Sequence, residues 1–388
     1  MSPDSKKNLK DFGEADFKTL ADGLSLPAYR GRQIAKWIFG KRVLTFDEMT
    51  DLPLDLRRTL EDGFFIGRLA LETAETSRDA TRKFLFRSSR GTPVESVLIP
   101  DGARRTLCVS TQAGCRMGCG FCVTGALGLL DQLSAGDIAG QFIEVARETG
   151  ERITHVVLMG MGEPLDNYEN VARAVRTFIH PDWIALSPRR VTLSTCGLIP
   201  PLIRFKTEFP RVRLAVSLGA PDDERRNRLI PVNRRYPLAA LMEACRDLPL
   251  QPRERITFEY TLLRGVNDSV EDARALTRLI RGVRCKVNLL PFNASPVLPY
   301  KRPDEAAVDR FARVLAAKGV TVTVRKSRGR DIEAACGLLA AGLPKRAPQT
   351  ADAEAGGAAE PSPERKPKTA SHPSPAAESG GRLTRTGA

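Results

Sequence analysis

Residues 107–122 read LCVSTQAGCRMGCGFC. The stretch opens on a strand-like run, Leu107–Thr111, and closes on three cysteines, Cys115, Cys119 and Cys122, in C-x3-C-x2-C spacing. Three thiolates this close can each take one iron of a cubane and leave the last iron without a protein ligand. An open iron suits a chelating substrate, whereas complete cysteine ligation suits simple electron transfer. Gly118 and Gly120 allow the loop to fold back on such a cluster, and Phe121 would shield it from water. The competing reading, zinc, wants four ligands in paired C-x2-C spacing. No second pair follows, and the only histidines are 155, 180 and 372.

The pattern around the motif alternates strand and helix. Strands are expected at Leu107–Thr111, Ile153–Met159, Arg190–Ser194, Arg213–Ser217, Arg255–Thr261, Lys286–Leu290 and Val320–Val324. Helices are expected at Ala135–Thr149, Tyr168–Ile179, Ser269–Ile280 and Glu305–Lys318. Such alternation implies βαβ units and a parallel sheet. So many units suit a partial (βα) barrel, in which the chemistry sits at the C-terminal strand ends. The cysteine motif follows the first of these strands. The next strand runs into Gly160-Met-Gly162-Glu163-Pro164, whose glycines let backbone approach a ligand and whose Glu163 can pair with an ammonium group. Later strand ends carry Ser194, Ser217 and Asn293, each able to hydrogen-bond a polar ligand, although ordinary turn chemistry would also place them there.

Outside 96–343 the character changes. Residues 1–95 read as a small helical accessory domain leading into a β-hairpin. Gly31–Phe39 has an amphipathic pattern, Asp51–Leu60 forms a second short helix, and Arg82–Arg87 and Val94–Ile99 alternate about a turn at Ser88–Thr92. Residues 344–388 are rich in Pro, Ala, Ser, Gly and Glu and are expected to be a disordered tail. The chain of 388 residues carries a formal net charge of +14, which favours a polyanionic partner, nucleic acid before membrane. It has no apolar run long enough to span a bilayer. The polar start, Met1–Lys10, leads to the expectation of a cytoplasmic protein. A disulfide framework fits its eight cysteines poorly, because three crowd into the motif and the rest are scattered. A lone cysteine such as Cys245 or Cys285 reads as a small buried hydrophobe.

The C-x3-C-x2-C motif with an aromatic before its last cysteine resembles the radical S-adenosylmethionine (SAM) enzymes. The resemblance implies a [4Fe-4S] cluster on Cys115, Cys119 and Cys122, and reductive cleavage of SAM. It also makes the Gly162–Glu163 segment similar to the "GEP" segment that holds SAM. The match narrows further at Cys108–Gly125, Val157–Pro164 (VLMGMGEP), Arg190–Gly197 (RVTLSTCG), Lys286–Asn293 (KVNLLPFN) and Val324–Gly337 (VRKSRGRDIEAACG). These resemble the RlmN/Cfr family of rRNA adenine methyltransferases, and GRQIAKWIF and FDEMTDLP resemble the accessory domain of its RlmN-type members. About residues 12–343 are covered. The resemblance implies that Cys336 carries the methyl group as S-methylcysteine, that Cys108 resolves the adduct by forming a disulfide with it, and that Glu95 is the base. It also implies SAM contacts from Gly162, Glu163, Ser194, Ser217, Leu218, Gly219 and Asn293. The family usually has histidine where this chain has Gly219.

Read without the resemblance, Cys336 lies in a short helix, Asp331–Leu339, as a buried structural cysteine, and Glu95 is an outward residue of an alternating strand. The resemblance reverses both readings. It further implies methylation at adenine C2 of 23S rRNA at the peptidyl-transferase centre and of tRNA beside the anticodon, a flavodoxin-like electron donor, and a monomer. Arg325, Lys326, Arg328 and Arg330 are the expected RNA contacts. The rival readings are C8 methylation of the same adenosine, the Cfr-type reaction, and a non-enzymatic RNA-binding protein with a structural Fe-S or zinc site.

Overall fold

The computed structural model describes residues 6–340; the tail expected at 344–388 lies outside them. Ten strands form one sheet, and their spatial order is their chain order. They are β1 (Ala70–Thr76), β2 (Arg82–Arg87), β3 (Pro93–Asp101), β4 (Arg104–Cys108), β5 (His155–Leu158), β6 (Val191–Thr195), β7 (Arg213–Ser217), β8 (Ile256–Leu262), β9 (Cys285–Pro291) and β10 (Val322–Val324). From β4 to β10 every pairing is parallel; β1 to β4 are antiparallel.

One face of this sheet is apolar and covered by helices. On β8, Ile256, Phe258, Tyr260 and Leu262 are fully buried in that layer, and Thr257, Glu259 and Thr261 point the other way. A closed (βα)8 barrel fills its interior with branched aliphatics. Here the inward positions are instead Cys, Ser, Thr, Glu and Asn, so the interior is a site as well as a packing surface. The helices form where the 3.6-residue pattern places them. Ala135–Thr149 starts at Ser134, whose hydroxyl accepts from the Asp137 N–H, and stops at Gly150 in the left-handed conformation. Tyr168–Ile179, Val270–Leu279 and Glu305–Ala317 also stand where expected. Two further helices, Ile199–Glu208 and Leu238–Asp247, complete the outer layer, while Asp223–Leu229 lies at the C-terminal strand ends, its Leu229 packed with Val123 and Phe292.

Several details differ from the sequence reading. The first parallel strand is Arg104–Cys108, three residues before the expected Leu107–Thr111, and the second short helix is Leu54–Gly63 where Asp51–Leu60 was expected. The hairpin at 82–99 pairs with β4 through Val97↔Cys108, so it extends the barrel sheet, and the 95/96 boundary falls within β3. The helix expected over Gly31–Phe39 starts earlier, at Ala28, and widens into a π-turn at Lys36–Lys41. Trp37, Ile38 and Phe39 are all buried there, which one face of a regular helix cannot achieve for three consecutive residues. The helical module packs Phe17, Ile34 and Phe39 against Ile143 and Trp183 of the barrel's helical layer.

Candidate active site

The cysteine loop lies where the barrel rule puts it, beyond the C-terminal end of β4. Cys115, Cys119 and Cys122 line one cavity together with Gly162, Glu163, Ser194, Ser217, Asn293 and Cys336. Burial pushes all three loop thiols up, Cys115 to about 12. Against that, the backbone N–H groups of Gly125 and Thr124 favour the Cys122 thiolate, and the Met117 N–H favours that of Cys115. N–H groups aimed at a sulfur favour the thiolate, the form that ligates iron. Among the described residues no three His, Cys, Asp or Glu side chains are gathered tightly enough for a single ion. A cubane is a wider object, taking one thiolate per iron, so three thiols around a shared cavity fit it better than they fit zinc.

The opposite wall suits SAM. Gly162 has φ +100°, and a Cβ there would lie 2.6 Å from the Gln112 Cβ, so only glycine lets this turn pass. Gln112 Oε1 accepts from the Glu163 N–H at 2.8 Å. The buried Glu163 carboxylate accepts from the Leu165 N–H at 3.0 Å and the Cys196 N–H at 2.8 Å, tying the ends of β5 and β6 together. Burial raises its pKa, and these donors oppose the rise. Asn293 donates from Nδ2 to the Cys336 carbonyl at 3.2 Å, while its buried Oδ1 has no partner among the described residues. An orphaned acceptor in a cavity wall is a place for a ligand's N–H or O–H.

A second cavity adjoins the first. It is lined by Cys108, Cys336, Arg325 and Lys326, and shares Met159, Leu290, Pro291, Asn293 and Cys336 with the first. Cys108 and Cys336 are free thiols in this arrangement. Burial pushes Cys108 up to about 12, nearby Cys336 adds to this, and Arg325 opposes it. The Arg325 guanidinium is in turn favoured by Cys336, against the cost of its burial. Arg325, expected to contact RNA, therefore faces the two thiols.

The segment carrying Cys336 is not the expected helix over Asp331–Leu339. It is a short 3-10 turn, Arg330–Ile332, followed by irregular chain with Glu333 at φ +51° and Gly337 at φ +83°. Its hydrogen bonds go to the surroundings instead. The Thr124 hydroxyl donates to the Leu339 carbonyl at 2.6 Å and the Val123 N–H to the Gly337 carbonyl at 2.8 Å. The Ala340 N–H donates to Glu95 Oε2 at 2.9 Å. On the far side, Ser77 and the Arg78 N–H donate to Asp331, and Asp79 accepts from the Gly329 N–H.

Glu95 is not an outward, solvated residue: it is 4% exposed, with Lys83 Nζ 3.6 Å from its carboxylate. Pairing of Val97 with Cys108 puts Glu95 on the same sheet face as Cys108. It lines neither cavity, because Ala340 lies over it. Leu218 and Gly219 line neither cavity as well. Leu218 is buried in the helix-facing core, and Gly219, at φ +72°, donates no side chain. A Cβ on Gly219 would lie 2.9 Å from Ile230 Cδ1, so Ile230 takes the space that a larger residue there would need.

Two residues of this site were not foreseen. Glu259 lines the SAM-side cavity and accepts from the Ser194 hydroxyl at 3.2 Å. Buried Arg226 donates to the carbonyls of Cys196, Ser217 and Leu218, gathering the ends of β6 and β7 under the cavity. Glu259 had a signal in the strand alternation, since it falls on the inward phase. Arg226 had none, as DERRNRL reads as a solvated charge run.

The chain is similar to known proteins over most of its length. Residues 109–277 match the Radical SAM superfamily, and residues 7–66 match the ribosomal RNA large subunit methyltransferase N-terminal domain. The chain is 46% identical over 336 residues to the dual-specificity RNA methyltransferase RlmN of Geobacter sulfurreducens, covering 87% of this chain and 92% of that one. The protein of the same name from Syntrophobacter fumaroxidans is also 46% identical, over 86% of this chain and 98% of its own length. A crystal structure of a radical SAM methyltransferase from Sphaerobacter thermophilus superposes with a TM-score of 0.82 at 42% identity, covering 86% of this chain and 99% of that one.

Proposed function

The chain belongs to the RlmN family of radical SAM RNA methyltransferases, and from that premise we propose that it methylates C2 of an adenosine in 23S rRNA at the peptidyl-transferase centre, and of an adenosine beside the tRNA anticodon, through S-methylcysteine on Cys336. The observation that carries the reading is the position of Cys336. Of the residues common to the two cavities it is the one nucleophile, with the cluster cysteines on one side and Cys108 on the other.

Cys115, Cys119 and Cys122 would hold the [4Fe-4S] cluster, and Glu163, Ser194, Ser217 and Asn293 would hold SAM. When bound, these groups supply an electrophilic methyl group and, from a second SAM, a hydrogen-abstracting radical, with the electron coming from a flavodoxin-like donor. The protein's task follows from the substrate. Adenine C2 is electron-poor and cannot attack a methyl cation equivalent, so a thiolate must accept the methyl first. Cys336 does so. Its methyl carbon, after losing a hydrogen atom, bonds to C2; the adduct must then give up one electron, for which the bound cluster would be the acceptor, and Glu95 takes the C2 proton. Cys108 then attacks the Cys336 sulfur: an S–S bond forms, the S–C bond breaks with its electron pair going to the methylene carbon, that carbon takes a proton, and the methylated base leaves. The withdrawal of Ala340 from Glu95 belongs to this cycle, since that N–H occupies the carboxylate otherwise. The enzyme acts as a monomer in this scheme, one chain carrying every residue named.

The test is anaerobic turnover of the reconstituted enzyme with SAM, reductant and unmodified 23S rRNA. The expected products are 5′-deoxyadenosine and 2-methyladenosine, identified by mass spectrometry and proton NMR. 8-Methyladenosine would move the protein to the Cfr-type reaction. Methylation that survives Cys336→Ala would remove the relay.

A further inference from the structure

The inward phase of the barrel strands carries a second regularity. Six residues that line the two cavities are Cys108, Met159, Ser194, Ser217, Glu259 and Leu290. Four positions earlier on the same six segments stand Arg104, His155, Arg190, Arg213, Arg255 and Lys286. Side chains alternate along a strand, so a spacing of four keeps both residues on one face. Four residues of strand span about 13 Å. The inner face of the sheet therefore carries Arg104, His155, Arg213 and Lys286 at the N-terminal strand ends, and Arg190 and Arg255, the residues immediately before β6 and β8, come close enough to act on His155 and Lys286, so five cations rim that end.

These cations are not spent on ion pairs. Among the described residues, none of Arg104, Arg190, Arg213, Arg255 and Lys286 has a carboxylate within ion-pair distance. Arg104 and Arg255 bond only to the hydroxyls of Thr106 and Thr321. All but Lys286 and His155 are exposed. They are close enough to repel each other. Burial, then Arg104, Arg190 and Arg213, hold His155 down to about 4. Burial, then Arg213, Arg104 and Arg255, lower Lys286. A depression lined by Arg189, Arg211, Arg213, Arg253, Arg255 and Lys286 continues the rim outward, its one carboxylate, Glu254, engaged by Lys206. Inward, the field of Arg104 reaches Arg325, beside the relay thiols. A solvated basic surface normally intersperses acids; one that concentrates unpaired, mutually repelling cations along a concave path is complementary to a polyanion.

We propose that the phosphodiester backbone of the RNA substrate seats on this rim, so that the target nucleotide reaches Cys336 from the N-terminal side of the strands, opposite the side that holds the cluster. The proposal rests on the reading of the chain as an RNA methyltransferase, and it assigns phosphate contacts, which set affinity and salt dependence, to residues distinct from those that do chemistry. The remote end of the barrel thus becomes the RNA-facing side.

Binding, not turnover, tests it. The whole reconstituted enzyme is titrated against an unmodified 23S rRNA transcript that includes the peptidyl-transferase centre, across a KCl series. Arg213→Gln with Lys286→Gln is expected to weaken binding about tenfold and to flatten the slope of log K against log salt by about 1.4 to 1.8, the value of two phosphate contacts. The charge-keeping pair Arg213→Lys with Lys286→Arg should bind as the parent does, which separates charge from folding. Arg278→Gln with Arg281→Gln removes the same charge from the outer helical layer and should leave the slope unchanged. An unaltered slope in the first variant, or an equal loss in the outer one, would overturn the assignment. An enzyme that binds through the rim yet never methylates would sink the function proposed above and leave this surface standing.

Discussion

At the scale of single residues, Arg325 has a consequence that the relay makes measurable. It borders both Cys108 and Cys336, and it opposes the burial that pushes Cys108 up to about 12. Resolution of the enzyme–RNA adduct needs the Cys108 thiolate. Arg325→Gln is expected to slow that step about tenfold or more, so that a covalent enzyme–RNA species accumulates on a denaturing gel and clears faster as pH is raised. Cys108→Ala should accumulate the same species at every pH. If Arg325→Gln turns over without accumulation, the guanidinium does not serve the thiol. The spacing of Cys115, Cys119 and Cys122 made the cluster loop legible in the sequence, because ligand spacing is local. Arg226 and Ala340 over Glu95 were not legible: one depends on three carbonyls converging from separate segments, the other on a contact across 245 residues.

At the scale of elements, the long amphipathic helices and most of the parallel strands were read within a residue or two, since burial on one face imposes a period; the first parallel strand, Arg104–Cys108, was placed three residues late, at Leu107–Thr111. The Cys336 segment was misread for the opposite reason. Its alanines and leucines imitate a helix, but its backbone groups are satisfied by distant partners: Thr124, Val123, Asn293 and Asp79 of the 77–81 turn. That turn gives the segment a pH dependence. Burial would raise Asp79, but hydrogen bonds from Thr81, the Gly329 N–H and Ser77 bring it down to about 2. An unfolded aspartate titrates near 4. The depressed pKa means the contact contributes its full stability above about pH 4 and loses it as pH falls towards 2. Hydrogen exchange at Ala334, whose N–H donates to the Gly329 carbonyl, should accelerate in that window and not above it. Asp79→Asn should show the faster exchange already at neutral pH. Protection that stays constant from pH 5 to 2.5 would mean the hairpin turn does not hold the Cys336 segment.

At the scale of the whole molecule, the accessory module and the barrel share one core. Phe39 of the module stacks on Trp183 of the barrel's helical layer with ring centroids 4.8 Å apart, and Phe17 meets the same indole at 5.9 Å. Lys10 lies 3.6 Å from Glu144 in a buried pair, and the Asp11 carboxylate accepts from the Gly136 N–H at 2.7 Å. Contacts of this kind bind two patterned segments into one cooperative unit, because neither can unfold without exposing the other's apolar face. Calorimetry of residues 1–388 should therefore show module and barrel melting together. Trp183→Ala removes the indole between them and is expected to cost about 3–5 kcal/mol. The loss falls on the shared surface, so the variant should melt in two steps, the module first, while the cluster-bearing barrel keeps its own transition. Two steps already present in the parent protein would show that the shared core does not couple the parts, and the module would then be free to move against the barrel while RNA binds.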